Sequence, residues 1–115
     1  MNDTQAIPIA FLCGGIFLIA AVIMLVFPPK KINSLYGYRT SSSQKNQQNW
    51  DFAQRYSSWR MMEAAVFMIA VSMVLTYAEI AEHQQMIVGI ITMGVGVAYM
   101  LLRTESAIKR KFPNK

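Results

Sequence analysis

The stretch Ile7–Phe27, IPIAFLCGGIFLIAAVIMLVF, holds 21 residues and no charged side chain. At about 1.5 Å per residue it is roughly 30 Å long as a helix, the thickness of a bilayer's hydrocarbon core. Two further stretches share this character. Residues 61–81, MMEAAVFMIAVSMVLTYAEIA, carry only Glu63 and Glu79, one near each end. Residues 86–102, MIVGIITMGVGVAYMLL, carry no charge, and Gln84, Gln85 and Arg103 flank them. Snorkelling polar side chains can complete so short a span, which extends it to about 85–103. A soluble helix of this length would show a polar face, and these stretches show none. The alternative, a buried soluble hairpin beside one anchor, fits them less well.

The expected fold is therefore an all-α membrane protein in one domain covering 1–115, with spans at about 7–27, 61–81 and 85–103. The first stretch reads as a retained helix. The residues before it, MNDTQ, lack Lys and Arg, and Phe27-Pro28-Pro29-Lys30-Lys31 after it offers no small-residue cleavage site.

The basic side chains give an independent count of crossings. Six of the eleven Lys and Arg lie between Pro28 and Arg60, and five lie from Arg103 onward. The N-terminal tail and the turn near Glu82 have none. With three crossings all eleven fall on one side, which the positive-inside rule makes the cytoplasm. The expected topology is multi-pass, with the N-terminus outside and the C-terminus cytoplasmic. The net charge of +5 is then a topology signal and not a sign of nucleic-acid binding. The basic groups suit anionic membrane lipids, at about 1 kcal/mol per residue near the surface.

The loop 28–60 is the least generic segment. Pro28-Pro29 ends the first helix, because neither proline has an N–H and the ring crowds the preceding turn. Gly37 between Tyr36 and Tyr38 suggests a tight turn that needs a positive φ or a close backbone approach. The tyrosines suit the headgroup layer, ring inward and hydroxyl outward. Thr40 or one of Ser41–Ser43 can cap a helix, and Ser41 with Gln44 fits a capping box. In the run QKNQQNWDFAQRYSSW, Phe52, Ala53, Tyr56 and Trp59 share a face, with Gln47, Asp51, Gln54, Arg55 and Ser58 opposite and Trp50 at the apolar edge. This pattern predicts a separate interfacial amphipathic helix between the first and second spans, lying on the inner leaflet, with Trp50 and Trp59 as interface anchors.

The run P-x-K-I-N-x-x-Y-G-Y-R-T, a serine step, then N-x-x-x-W-x-x-A resembles the conserved segment of the SdpI family. Pro29, Lys31, Ile32, Asn33, Tyr36, Gly37, Tyr38, Arg39, Thr40, Trp50 and Ala53 carry the resemblance. One span precedes the segment and two follow, in the same layout. The resemblance implies a protein of the bacterial cytoplasmic membrane that confers immunity to, or senses, a membrane-active toxin peptide. Rival readings are a structural or accessory subunit of a membrane complex, or a small oligomeric transporter.

Candidate binding or motif residues are Asn33, Tyr36, Gly37, Tyr38, Arg39, Thr40, Trp50 and Glu63. The planar guanidinium of Arg39 can clamp a phosphate or carboxylate, or it can pair with Glu63 or cap a helix inside the fold. Glu63, about one turn inside the second span, can couple protons or cations, or it can pair with Arg60 or Arg39 at the interface. Asn33 can bond the turn's backbone or a ligand. Ala10-x-x-x-Gly14 and Gly94-x-x-x-Ala98 are small-residue pairs suited to close helix contacts, within the unit or across a homo-oligomer. A single Cys13 and a single His83 give no disulfide and no zinc site. No nucleophile–base set or phosphate-binding glycine loop is present, so no enzymatic activity, metal or cofactor is expected. The expected partners are membrane lipids and a toxin peptide or another membrane protein.

Overall fold

A computed structural model describes residues 8–113. The N-terminal tail with Asp3, the first residue of the predicted first span, and Lys115 lie outside this range. Three helices follow one another: α1 (Ile9–Val26), α2 (Gln47–Tyr77) and α3 (Glu82–Lys111). Each is long and apolar enough to cross a membrane, and the chain is a multi-pass membrane protein. Its longest dimension is 54 Å. α1, at 18 residues, is about 27 Å long, whereas α2 and α3, at 31 and 30 residues, reach about 45 Å each. The two longer helices therefore outrun the bilayer core at the basic end, where the loop 27–46 packs onto them.

The predicted interfacial helix is not there. Residues 47–59 are instead the first four turns of α2, which continues without a break into the second span. No Gly or Pro occurs between Gln47 and Tyr77, so nothing in the sequence stops helix propagation. The cap also differs from the expectation. Asn46, with extended backbone, accepts the Asn49 amide on its side chain, whereas Ser41–Gln44 form a turn. The helical periodicity was legible; which surface the apolar face meets was not. Ala53, Ser57 and Trp50 are buried by protein and not by lipid.

Small residues set the helix separations. Ala10 and Gly14 face inward on α1. A Cβ on Gly14 would stand 2.7 Å from Ile69 Cγ1 and 3.1 Å from the Ala65 carbonyl oxygen, and one on Gly89 would stand 3.1 Å from the Ala10 amide. These are the close approaches on which membrane helices rely when lipid gives no hydrophobic drive. Met68 and Ala65 on α2 are fully buried between the neighbours. Gly94 and Ala98 are exposed, so this second small-residue pair is not used inside the unit. Buried Thr92 and Ser58 satisfy their hydroxyls on carbonyls one turn back, Val88 at 2.7 Å and Gln54 at 2.6 Å.

The second span ends earlier than predicted, at Tyr77. The Ile80 amide bonds the Leu75 carbonyl, the Glu79 amide bonds that of Thr76, and Glu79 has φ 57°. This is the Schellman arrangement, with a glutamate at the left-handed position that favours glycine. Glu79→Gly is expected to raise the unfolding midpoint in detergent, by about 1 kcal/mol of stability, because it removes the left-handed penalty of a residue with a Cβ. A variant less stable than the native protein would count against this assignment.

Candidate functional site

The loop 27–46 is fastened to the basic end by side chains that act as backbone partners. Pro29 is buried, and its carbonyl accepts the indole N–H of fully buried Trp50 at 2.7 Å. Trp50 is thus an internal tie and not a bilayer anchor. Trp59 is half exposed. The Asn33 side-chain oxygen accepts the amides of Leu35 and Tyr36 at 2.9 and 2.7 Å, and its amide donates to the Lys31 carbonyl. This closes an Asx-type turn. The Tyr36 hydroxyl donates to the Phe27 carbonyl at 2.7 Å, which ties the loop back to the end of α1.

Gly37 has φ 109° and lies against Gln54 and Pro29. The buried Gln54 side chain then pairs with Tyr38 like a neighbouring strand. It accepts the Tyr38 amide at 2.7 Å and donates to the Tyr38 carbonyl at 2.8 Å. The sequence pattern put Gln54 and Ser58 on a polar face of the helix, yet both are buried beneath the loop.

Tyr38 does not lie in a headgroup layer with its hydroxyl outward. Its ring is buried against Ala53 of α2 and Ile108 of α3, with Phe52, Met100 and Phe112 around them. Its hydroxyl donates to Glu105 at 2.6 Å, the Thr40 hydroxyl donates to the same carboxylate at 2.7 Å, and that of Ser42 donates to its other oxygen. Three hydroxyls from one short loop segment thus converge on one carboxylate of α3. The Ser43 hydroxyl contacts the carbonyls of Tyr38 and Thr40 and accepts the Thr40 amide at 2.8 Å, while the Asn49 amide holds the Ser42 carbonyl at 2.8 Å.

Glu105 lies beyond the charge-free run 86–102, and it was not among the predicted site residues. Its signal was present: it is the only acid after Glu82, set among the basic residues of the tail. Partial burial pushes its carboxyl up, but the hydrogen bonds from Ser42, Tyr38 and Thr40, with Lys109 nearby, outweigh this and hold it below the usual carboxylate range. Burial and the Glu105 contact push the Tyr38 hydroxyl well above its ordinary value, so it remains a donor.

The sign of the pH effect follows. A depressed carboxyl stabilises the docked loop above the ordinary carboxylate value of about 4.3. That stabilisation is lost as pH falls through the lower folded value. The emission of Trp50, read in a Trp59→Phe background, is expected to hold steady from neutral pH to about 5 and to shift red below about 4. A shift that began near neutrality would point to another group.

Arg39, between these ties, is exposed and makes no hydrogen bond or ion pair with another described residue. Glu63 does not join the loop. It pairs with Arg60 at 3.0 Å and accepts the Tyr99 hydroxyl at 2.5 Å, at a groove of about 370 Å³ between α2 and α3 lined by Ala64, Phe67, Val95 and Gly96. No group of three or more His, Cys, Asp or Glu among the described residues is placed to hold a metal. The Cys13 thiol lies 3.5 Å from the Met93 sulfur. The structure therefore brings together Asn33, Tyr36, Gly37, Tyr38, Thr40 and Trp50, leaves Arg39 outward, and puts Glu63 in a separate setting.

Residues 30–104 match the family model described as the SdpI/YfhL protein family. The match takes in the loop from Lys30 onward, α2 and most of α3, and stops one residue short of Glu105. A curated relative, the uncharacterized protein YfhL of Bacillus subtilis (strain 168), is 40% identical over 62 residues, which cover 54% of this chain and 56% of the relative. The matched part thus spans about half the length of that relative. No solved structure matches the chain.

Proposed function

The chain belongs to the SdpI/YfhL protein family, and from that membership we propose that it protects the bacterial cytoplasmic membrane against a membrane-active toxin peptide, or senses one. In this reading the N-terminus is outside and the basic end faces the cytoplasm, as the distribution of Lys and Arg favours. The observation that carries the reading is the division of labour in the chain. The polar groups of Asn33, Tyr36, Tyr38 and Thr40 are engaged in holding the loop, so the motif serves as scaffold and recognition falls to the spans. There, large apolar side chains such as Ile16, Ile19, Val66, Met73 and Val74 are exposed, a surface that an amphipathic peptide within the bilayer can pack against. A strain lacking the gene should become more sensitive to the cognate peptide and regain resistance on complementation. Unchanged sensitivity across the peptides made by competing strains would remove the proposal.

A second reading, an accessory subunit, is favoured by one feature. Gly94 and Ala98 are exposed beside Ile91 and Val95, and a Cβ on Gly94 would meet nothing within 4 Å. A membrane partner can approach closely along that face. Disulfide trapping from Gly94→Cys in membranes separates the readings: a heterologous adduct supports the subunit, and recovery of the monomer alone opposes it.

A further inference from the structure

Where α2 leaves its apolar stretch, Phe52, Arg55, Tyr56, Trp59 and Arg60 recur at helical spacing on one side of the helix. With Asp51, and with Lys111 from the end of α3, they line a hollow of about 510 Å³. The cations here rest on rings. The Arg60 guanidinium lies 5.0 Å from the Tyr56 ring centroid, and the Lys111 ammonium lies 5.3 Å from that of Phe52. Phe52 and Tyr56 stack at 5.5 Å, and Phe112 braces Phe52 edge-on at 5.9 Å. A cation on an aromatic face is fixed in place while it keeps its charge and its outward donors.

The carboxylates nearby offset the group only in part. Asp51 is engaged by the Gln47 amide at 2.7 Å. Glu63 pairs with Arg60 at 3.0 Å and also accepts the Tyr99 hydroxyl. Arg55 and Lys111 make no ion pair with another described residue, and Arg60 Nε is buried without an acceptor. Three cations, Arg55, Arg60 and Lys111, against the carboxylates of Asp51 and Glu63 leave the hollow a net positive charge, with Arg55 and Lys111 the cations not held in an ion pair with a described residue.

Its depth identifies the acceptor's source. Trp59 and Arg60 directly precede the apolar stretch of α2, and Trp59 is 49% exposed. Arg55 is four residues further out, about 6 Å along the axis, which is about the thickness of the headgroup layer on one face of a bilayer. Side chains tilt toward the N-terminus of their own helix. Those of α2 therefore lean away from the bilayer here, and Lys111 of the oppositely directed α3 leans toward it, so that they converge.

We propose that this hollow binds the phosphate of an anionic phospholipid. Arg55 and Lys111 hold the phosphate oxygens, Arg60 closes the bilayer side, and the Trp59 ring covers the glycerol and the first methylenes of the chains. The site is independent of any toxin peptide.

The test uses the full chain in neutral detergent, titrated with short-chain phosphatidylglycerol, with phosphatidylcholine of the same chains, and with inorganic phosphate, and read by thermal unfolding and by native mass spectrometry. Phosphatidylglycerol is expected to raise the melting temperature and to remain bound, whereas the other two do neither. Arg55→Gln and Lys111→Gln are each expected to weaken phosphatidylglycerol binding about fivefold, and Lys45→Gln, in the loop and outside the hollow, to leave it unchanged. All three side chains are exposed, so the fold survives the changes. Equal binding of phosphatidylcholine, or native affinity in both hollow variants, overturns the proposal. So does inorganic phosphate acting as well as the lipid, which would assign the site to the free anion.

Discussion

Glu105→Ala is expected to release the loop 27–46 from the helices while leaving the three spans in place. The native carboxylate accepts Tyr38, Thr40 and Ser42 at once. Hydrogen bonds to a charged group are worth about 1.5–3 kcal/mol each, and losing one partner leaves the others to be desolvated unmet. The three bonds share an acceptor, so their contributions do not add. A net loss of about 2–4 kcal/mol is expected for docking the loop. Helix content by circular dichroism should stay near native, because α2 and α3 are held together by Ala53, Met68 and Ile108 as well. Limited trypsin digestion should then cut at Arg39 and Lys45 far faster than in the native protein. Glu105→Gln keeps one carbonyl acceptor and should fall between the two. Native digestion rates in Glu105→Ala would show that the loop is held by Gln54 and Trp50 alone.

Gly37→Ala is expected to destabilise the same region by about 3 kcal/mol or more, through backbone strain and collision together. The φ of 109° lies where a Cβ costs about 1–2 kcal/mol by itself. The added methyl would also stand 2.6 Å from the Gln54 side-chain oxygen and 2.7 Å from Pro29 Cγ. Gln54 has no slack to move, since that oxygen holds the Tyr38 amide. Gly15→Ala is the matched control, because nothing lies within 4 Å of its Cβ position and alanine is the better helix former. Thermal unfolding of both variants in one detergent should show a large loss for Gly37 and no loss, or a gain, for Gly15. Equal behaviour of the two would refute the assignment of Gly37 as a conformational requirement.

These two residues mark where the sequence was and was not informative. Gly37 announced itself by lying between two tyrosines in a polar loop, where a turn had to be. The three spans were equally plain, since long apolar runs with charge absent or confined to their ends have few other meanings. Gln54 and Glu105 were opaque for a common reason. A glutamine on a helix reads as solvent-facing unless its partner is known, and here the partner is the backbone of Tyr38, 16 positions earlier. Glu105 finds its donors more than 60 positions away. The misread helix at 44–59 is the same problem in another form. An apolar stripe facing a loop and one facing lipid have identical periodicity, and only the packing of Trp50 and Ala53 tells them apart. Tyr38 shows the converse, because a tyrosine near a membrane surface suits both a headgroup and a buried hydroxyl tie.

The unbroken course of α2 has a mechanical consequence. A helix of 31 residues with no glycine or proline behaves as a stiff rod over its whole length, so a tilt imposed on its far half is not absorbed at the bilayer surface but delivered as a displacement at Gln47. The tie from Tyr38, Thr40 and Ser42 to Glu105 then works as a crossbar between that rod and α3, resisting sliding of one along the other. Glu105 thereby adds a polar restraint against sliding to the apolar contacts that already join the two helices.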